Sequence, residues 1–141
     1  MSTEITIGKK WIYNTLIANT SLIPLITNGG EVGIYADFAR KTPCVVYQTY
    51  SIKDDTTVVG GYRVKSNIQF MVKAIDRSES TDLVEQIADL IDESLHRKSG
   101  ILSEGTVISC VRRLPLNFIE KNPESTYQHL GGIYRLEIQS N

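Results

Sequence analysis

The chain has 141 residues, enough for one domain with a real hydrophobic core. Its 15 Lys and Arg against 16 Asp and Glu leave a formal net charge of −1, which excludes the basic footprint of a protein that grips nucleic acid. Its apolar runs, such as "SLIPLI", fall far short of the ~20 residues that span a bilayer as a helix.

The opening "MSTEITIGKK" has acids before its lysines and no apolar stretch of the kind a signal peptide needs, which predicts a protein used in a reducing cytoplasm. "KKWIYNTLIAN" carries Trp11, Ile12, Leu16 and Ile17 at helical spacing and predicts an amphipathic helix ending near Asn19–Ser21. "SLIPLI" is a short turn or irregular helix around Pro24, and "TNGG" is a turn. "EVGIYA" is a short strand and "DFARKTP" a loop. "CVVYQTYSI", β-branched and aromatic on both faces, predicts a strand covered on both sides by helices or a neighbouring subunit. The stretch 53–61, "KDDTTVVGG", is a connection longer than a tight hairpin needs.

"RVKSNIQFMVKAID" alternates cleanly, with Val64, Ile68, Phe70, Val72 and Ala74 on one face and Arg63, Lys65, Asn67, Gln69 and Lys73 on the other. A helix over 81–97 follows, with Ser80 or Thr81 as its cap and Asp82 and Glu85 in its first turn. His96, Arg97 and Lys98 fall in its last turn, with Gly100 just beyond. Its apolar stripe is Leu83, Val84, Ile87, Leu90, Ile91 and Leu95. "GTVISCVRRLPLNFI" is a long strand in which Pro115 marks a kink, an edge or the end. After the turn "EKNPES", the Gly131-Gly132 step releases the chain, through a bulge or a positive-φ turn, into a last strand with Tyr134, Leu136 and Ile138 inward. Strands joined by short turns pair antiparallel, so the expected fold is α+β: one domain over 1–141, a mainly antiparallel sheet of four to five strands with two helices packed on one face.

Little of this pattern is chemistry. His96 sits at a helix end, and His129 has no Ser, Cys or Asp at a spacing that suggests a catalytic constellation. Cys44 and Cys110 lie in apolar runs and read as small buried hydrophobes. Together with the two histidines they show none of the paired short spacings of a zinc site. Gly131-Gly132 leads into a strand rather than a helix N-terminus, so it is not a phosphate loop. No catalytic residue, metal ligand or cofactor is expected.

With all the elements laid out, the chain resembles the tail-completion, or tail-terminator, proteins of long-tailed bacteriophages. The resemblance rests on "WIYNTLIANTSLIPLI", "GIYADFARKTPCVVYQTYS", "YRVKSNIQFMVKAID", "DLVEQIADLIDESLH" and "YQHLGGIYRLEIQ", and it runs from about Trp11 to Gln139. It implies a non-enzymatic virion protein, assembled in the host cytoplasm into a ring of typically six subunits. Such a ring caps the head-proximal end of the tail tube, ends tube polymerisation and meets the head-completion or connector protein, with DNA only passing through its channel and no membrane involved. Another head–tail joint protein, a cytosolic ligand-binding regulatory domain, and an enzyme with a scattered polar site are the alternatives.

For a ring, the expected contact element is the 53–61 connection and its exit. Asp54 and Asp55 stand at one end, Val58 and Val59 are an apolar pair for a neighbour to cover, and Tyr62 follows. The strand carrying Val45 and Tyr47 is the expected receiver.

Overall fold

The computed structural model describes residues 2–56 and 63–140, with side chains described within 4–52 and 65–140. Helix α1 (Ser2–Ile17) starts well before the expected Lys9. Its buried face begins earlier, with Glu4 and Ile7 continuing into Trp11, Ile12 and Leu16. Gly8 lies on the same side, where an added Cβ would stand 2.7 Å from the Phe70 ring. The short helix α2 (Ile23–Ile26) accommodates Pro24 in its first turn, where a missing N–H costs nothing. Strands β1 (Thr27–Asn28) and β2 (Glu31–Val32) form a separate hairpin, turned by Gly29 and Gly30 at φ 59° and 83°.

Among the described residues the main sheet has six strands in the order β3-β4-β5-β8-β7-β6. They are β3 (Ile34–Ala36), β4 (Cys44–Thr56), β5 (Arg63–Arg77), β6 (Lys98–Leu102), β7 (Gly105–Lys121) and β8 (Thr126–Ser140). Helix α3 (Asp82–Leu95) separates β5 from β6. All neighbouring pairs are antiparallel except β3 with β4, which run parallel.

This corrects the expected architecture. The chain is mostly β, with a mixed sheet of six strands and a second small sheet, rather than four to five antiparallel strands under two helices. The parallel pair was hidden because the connection 37–43 returns the chain beside β3 in the same sense, Ile34 opposite Val45, with the Asp37 N–H donating to the Tyr47 carbonyl. Parallel strands ordinarily need a longer crossover.

The sixth strand was lost to a misplaced helix end. Helix α3 stops at Leu95, His96 is already extended, Arg97 has φ 63°, and Lys98 begins β6. His96 therefore does not meet the helix carbonyls through its ring. Its Nδ1 instead accepts the Arg112 N–H of β7 at 3.1 Å. Gly100 is likewise no helix cap. It lies in β6 with Trp11 packed so closely that a Cβ would meet the indole. At the other end of α3, Thr81 makes no side-chain cap, and the Ser80 hydroxyl accepts the Asp82 N–H at 3.2 Å.

One continuous core unites the helices with one sheet face. Ile7, Trp11, Ile12 and Leu16 of α1 and Val84, Ile87, Ile91 and Leu95 of α3 join Val45, Tyr47, Ile68, Phe70, Val72, Ala74, Val107, Cys110, Tyr134, Leu136 and Ile138. The Tyr134 hydroxyl, buried in this core, donates to Asp92 of α3 at 2.9 Å. On the opposite face Tyr35, Cys44, Val46 and Ile75 form a smaller cluster with Tyr127 against it.

The Gly131-Gly132 step is inside β8, not before it, and neither residue has a positive φ. Both permit close approach instead. A Cβ on Gly131 would collide with the Val72 carbonyl oxygen and stand 2.5 Å from Lys73 Cα, whereas one on Gly132 would meet the Arg112 side chain at 2.7 Å. Beside this step β7 shifts register between Arg112 and Leu114, and it runs on through Pro115 without breaking.

Candidate functional site

The sheet face away from the helices holds an open groove of about 490 Å³, lined by residues that include Phe38, Arg40, Lys73, Glu120, Tyr127 and His129. Strand register builds its floor: His129 of β8 lies between Ile75 of β5 and Phe118 of β7. The His129 ring stacks on Phe118 at 4.2 Å and 15°, and the Lys73 ammonium sits 4.9 Å from the centre of the Phe118 ring. His129 Nε2 lies 2.9 Å from Glu120 Oε1.

Burial lowers the His129 pKa, partly opposed by the Glu120 carboxylate, which favours the neutral ring. The tautomer with Nε2–H donating to Glu120 leaves Nδ1 as the bare lone pair, and Nδ1 is shut off from solvent with no partner among the described residues. A general base must reach its substrate with that lone pair, and this one cannot. Burial also lowers the Lys73 pKa, with Glu120 again opposing. Among the described residues no group of three or more His, Cys, Asp or Glu is placed to hold a metal. Cys44 and Cys110 are buried free thiols, each pushed by burial to a pKa of about 12, well outside the range of reactive cysteines.

The expected interface residues do not share one place. Val45 and Tyr47 belong to the subunit's own core, and β3 occupies the edge of β4 beside them. The exposed part of β4 lies further on, at Tyr50 and Ile52, 54% and 40% exposed. Asp54 and Asp55, expected in a loop, are in β4, which pairs with β5 as far as Thr56 opposite Arg63. Val58, Val59 and Tyr62 lie outside the described residues.

Reading the sequence missed a different surface. Beyond Cys110, β7 leaves β6 behind, and its remaining length is paired only with β8 among the described residues. Leu114, Phe118 and Ile119 on that stretch are 55%, 41% and 55% exposed. The signal available was "LPLNFI", apolar at nearly every second residue with Pro115 inside it, a residue that favours sheet edges.

No protein-family model and no curated protein matches the chain. Among solved structures, it is similar in fold to a chain of the "Virion of native gene transfer agent (GTA) particle", with a TM-score of 0.69 and 15% identity over 91% of this chain and 91% of that one.

Proposed function

We propose that this chain is a structural, non-enzymatic virion protein that assembles as a ring on the head-proximal end of a phage-type tail tube, ends its growth and helps join tail to head. The observation that carries the reading is the fold likeness to a chain of a gene transfer agent virion over nearly the full length of both chains. Long strands with exposed apolar residues at the sheet edge support an assembly role. The resemblance to tail-terminator proteins narrows the place in the virion. In that setting the 53–61 segment is the contact element, with Val58 and Val59 covered by a neighbour or by the tube.

The same fold likeness supports another head–tail joint protein equally, so the test must involve tubes. Purified protein is mixed with tail-tube protein and imaged in negative stain. The expected result is a ring at one tube end and a narrow length distribution. Uncapped tubes of unregulated length, with the protein bound elsewhere or not at all, would remove the terminator role. Val58→Asp with Val59→Asp is expected to weaken the ring or its hold on the tube without moving the melting temperature.

A further inference from the structure

The main sheet has two open edges, and they match each other. On one side β3 covers β4 only from Val45 to Tyr47, so among the described residues 48–56 have no outer partner. On the other side β6 covers β7 only to Cys110, and His96 takes the Arg112 N–H, which leaves 113–121 open among the described residues. Each stretch carries a register shift, between Thr49 and Ser51 on β4 and between Arg112 and Leu114 on β7. Rows of unpaired backbone donors and acceptors beside exposed Tyr50, Ile52, Leu114, Phe118 and Ile119 are a liability in a solitary molecule.

We infer that the open edge of β4 in one copy pairs antiparallel with the open edge of β7 in the next, making one continuous sheet across the subunit joint. The strand senses require this polarity. Strands β4 and β8 run one way and β5 and β7 the other, so a second copy laid edge to edge in the same orientation presents β7 antiparallel to β4. Setting Ser51 opposite Leu116 places 48–53 against 114–118 with Tyr50 as the extra residue of its bulge. The acidic Asp54 and Asp55 then come level with Arg112 and Arg113. Pairing β7 with β7 about Asn117 would instead set Arg113 opposite Lys121, and neither two-fold pairing brings Asp54 and Asp55 level with the arginines, which disfavours the two-fold alternatives.

The open stretches flank opposite ends of the sheet, 63–71 of β5 and 126–134 of β8. Each joint therefore steps the strands along their own axis, the stagger by which a sheet closes on itself. The inference rests on the proposed ring and names its repeating contact.

Ser51 and Leu116 both fall on the sheet face away from the helices, since Ser51 pairs with Gln69 and Leu116 with Gly131. Directly opposed strand residues are within disulfide reach. The Ser51→Cys, Leu116→Cys double variant is oxidised mildly, with and without tail tubes, and run on a non-reducing gel beside each single variant. The buried native thiols stay out of the reaction. The expected result is a covalent ladder up to the ring in the double variant and monomer in both single variants. Dimer from Leu116→Cys alone would overturn the inference in favour of two-fold pairing. Rings that cap tubes without any ladder would overturn the edge pairing and leave the proposed function standing. A full ladder with uncapped tubes would do the reverse.

Discussion

Replacing Gly131 by Ala, ordinarily a mild change, should be among the most damaging substitutions in this protein. Gly131 lies in β8 opposite Lys73 of β5, and the obstacles to a Cβ are the Val72 carbonyl oxygen and Lys73 Cα, both backbone. No rotamer change can move them, so the two central strands must separate by roughly 1 Å from their usual ~4.8 Å spacing. That stretch takes an adjacent N–H···O bond from ~2.9 Å to beyond ~3.5 Å, where it no longer counts as one. One or two lost ladder bonds leave buried groups unsatisfied at about 1–3 kcal/mol each, and overpacking adds about 1–3 kcal/mol. The smaller backbone freedom of Ala in the unfolded chain returns about 0.4–1 kcal/mol. The expected net loss is about 3–5 kcal/mol, a large part of the ~5–15 kcal/mol that holds a domain together. It corresponds to roughly 10–15 °C in melting temperature at this size.

Gly132→Ala is the internal control. Its nearest obstacle is the flexible, exposed Arg112 side chain at 2.7 Å, with the Leu114 carbonyl oxygen further off at 3.0 Å, so it should cost less than Gly131→Ala, about 1–2 kcal/mol. Equilibrium urea unfolding of both variants measures the difference. A Gly131→Ala variant within about 0.5 kcal/mol of the parent, or one less damaged than Gly132→Ala, would refute the close-approach argument.

Ile87→Asp puts a carboxylate at a fully buried position of α3 and should cost more than ~3 kcal/mol; a melting temperature within a few degrees of the parent would mean that this helix face is not core. His129 has a folded pKa lowered below 6.5, so between these two values the unfolded chain binds more protons than the native one, and its contribution is lost as pH falls below about 6.5. The stability difference between the parent and His129→Gln should therefore shrink from pH 7 to pH 5, and a difference that grows would show that the Glu120 ion pair outweighs burial. Cys44 and Cys110, with pKa values raised to about 12, should react with an aromatic disulfide reagent only on unfolding, and fast labelling of native protein at pH 8 would contradict their burial.

Local periodicity alone determined much of the core. The alternation in β5 named Ile68, Phe70, Val72 and Ala74, and the stripe in α3 named Val84, Ile87, Ile91 and Leu95, all buried in the folded chain. A side chain's face depends only on its own φ and ψ and its place in the repeat, so such positions are readable from a few residues of sequence. What neighbours what is not written locally. Lys98–Leu102 is a strand because β7 lies beside it and Trp11 packs on Gly100, although Lys98 and Gly100 read as the end of a helix. Gly131 and Gly132 look like a turn, but they are small because the β5 backbone and the Arg112 side chain press against them from either side. The pairing of buried His129 with exposed Glu120, the Phe118 stack and the two open sheet edges each depend on which strands pair, and at what offset. Hydrogen-bond register between distant segments is decided by the packing of the whole sheet, and only the tertiary structure contains it.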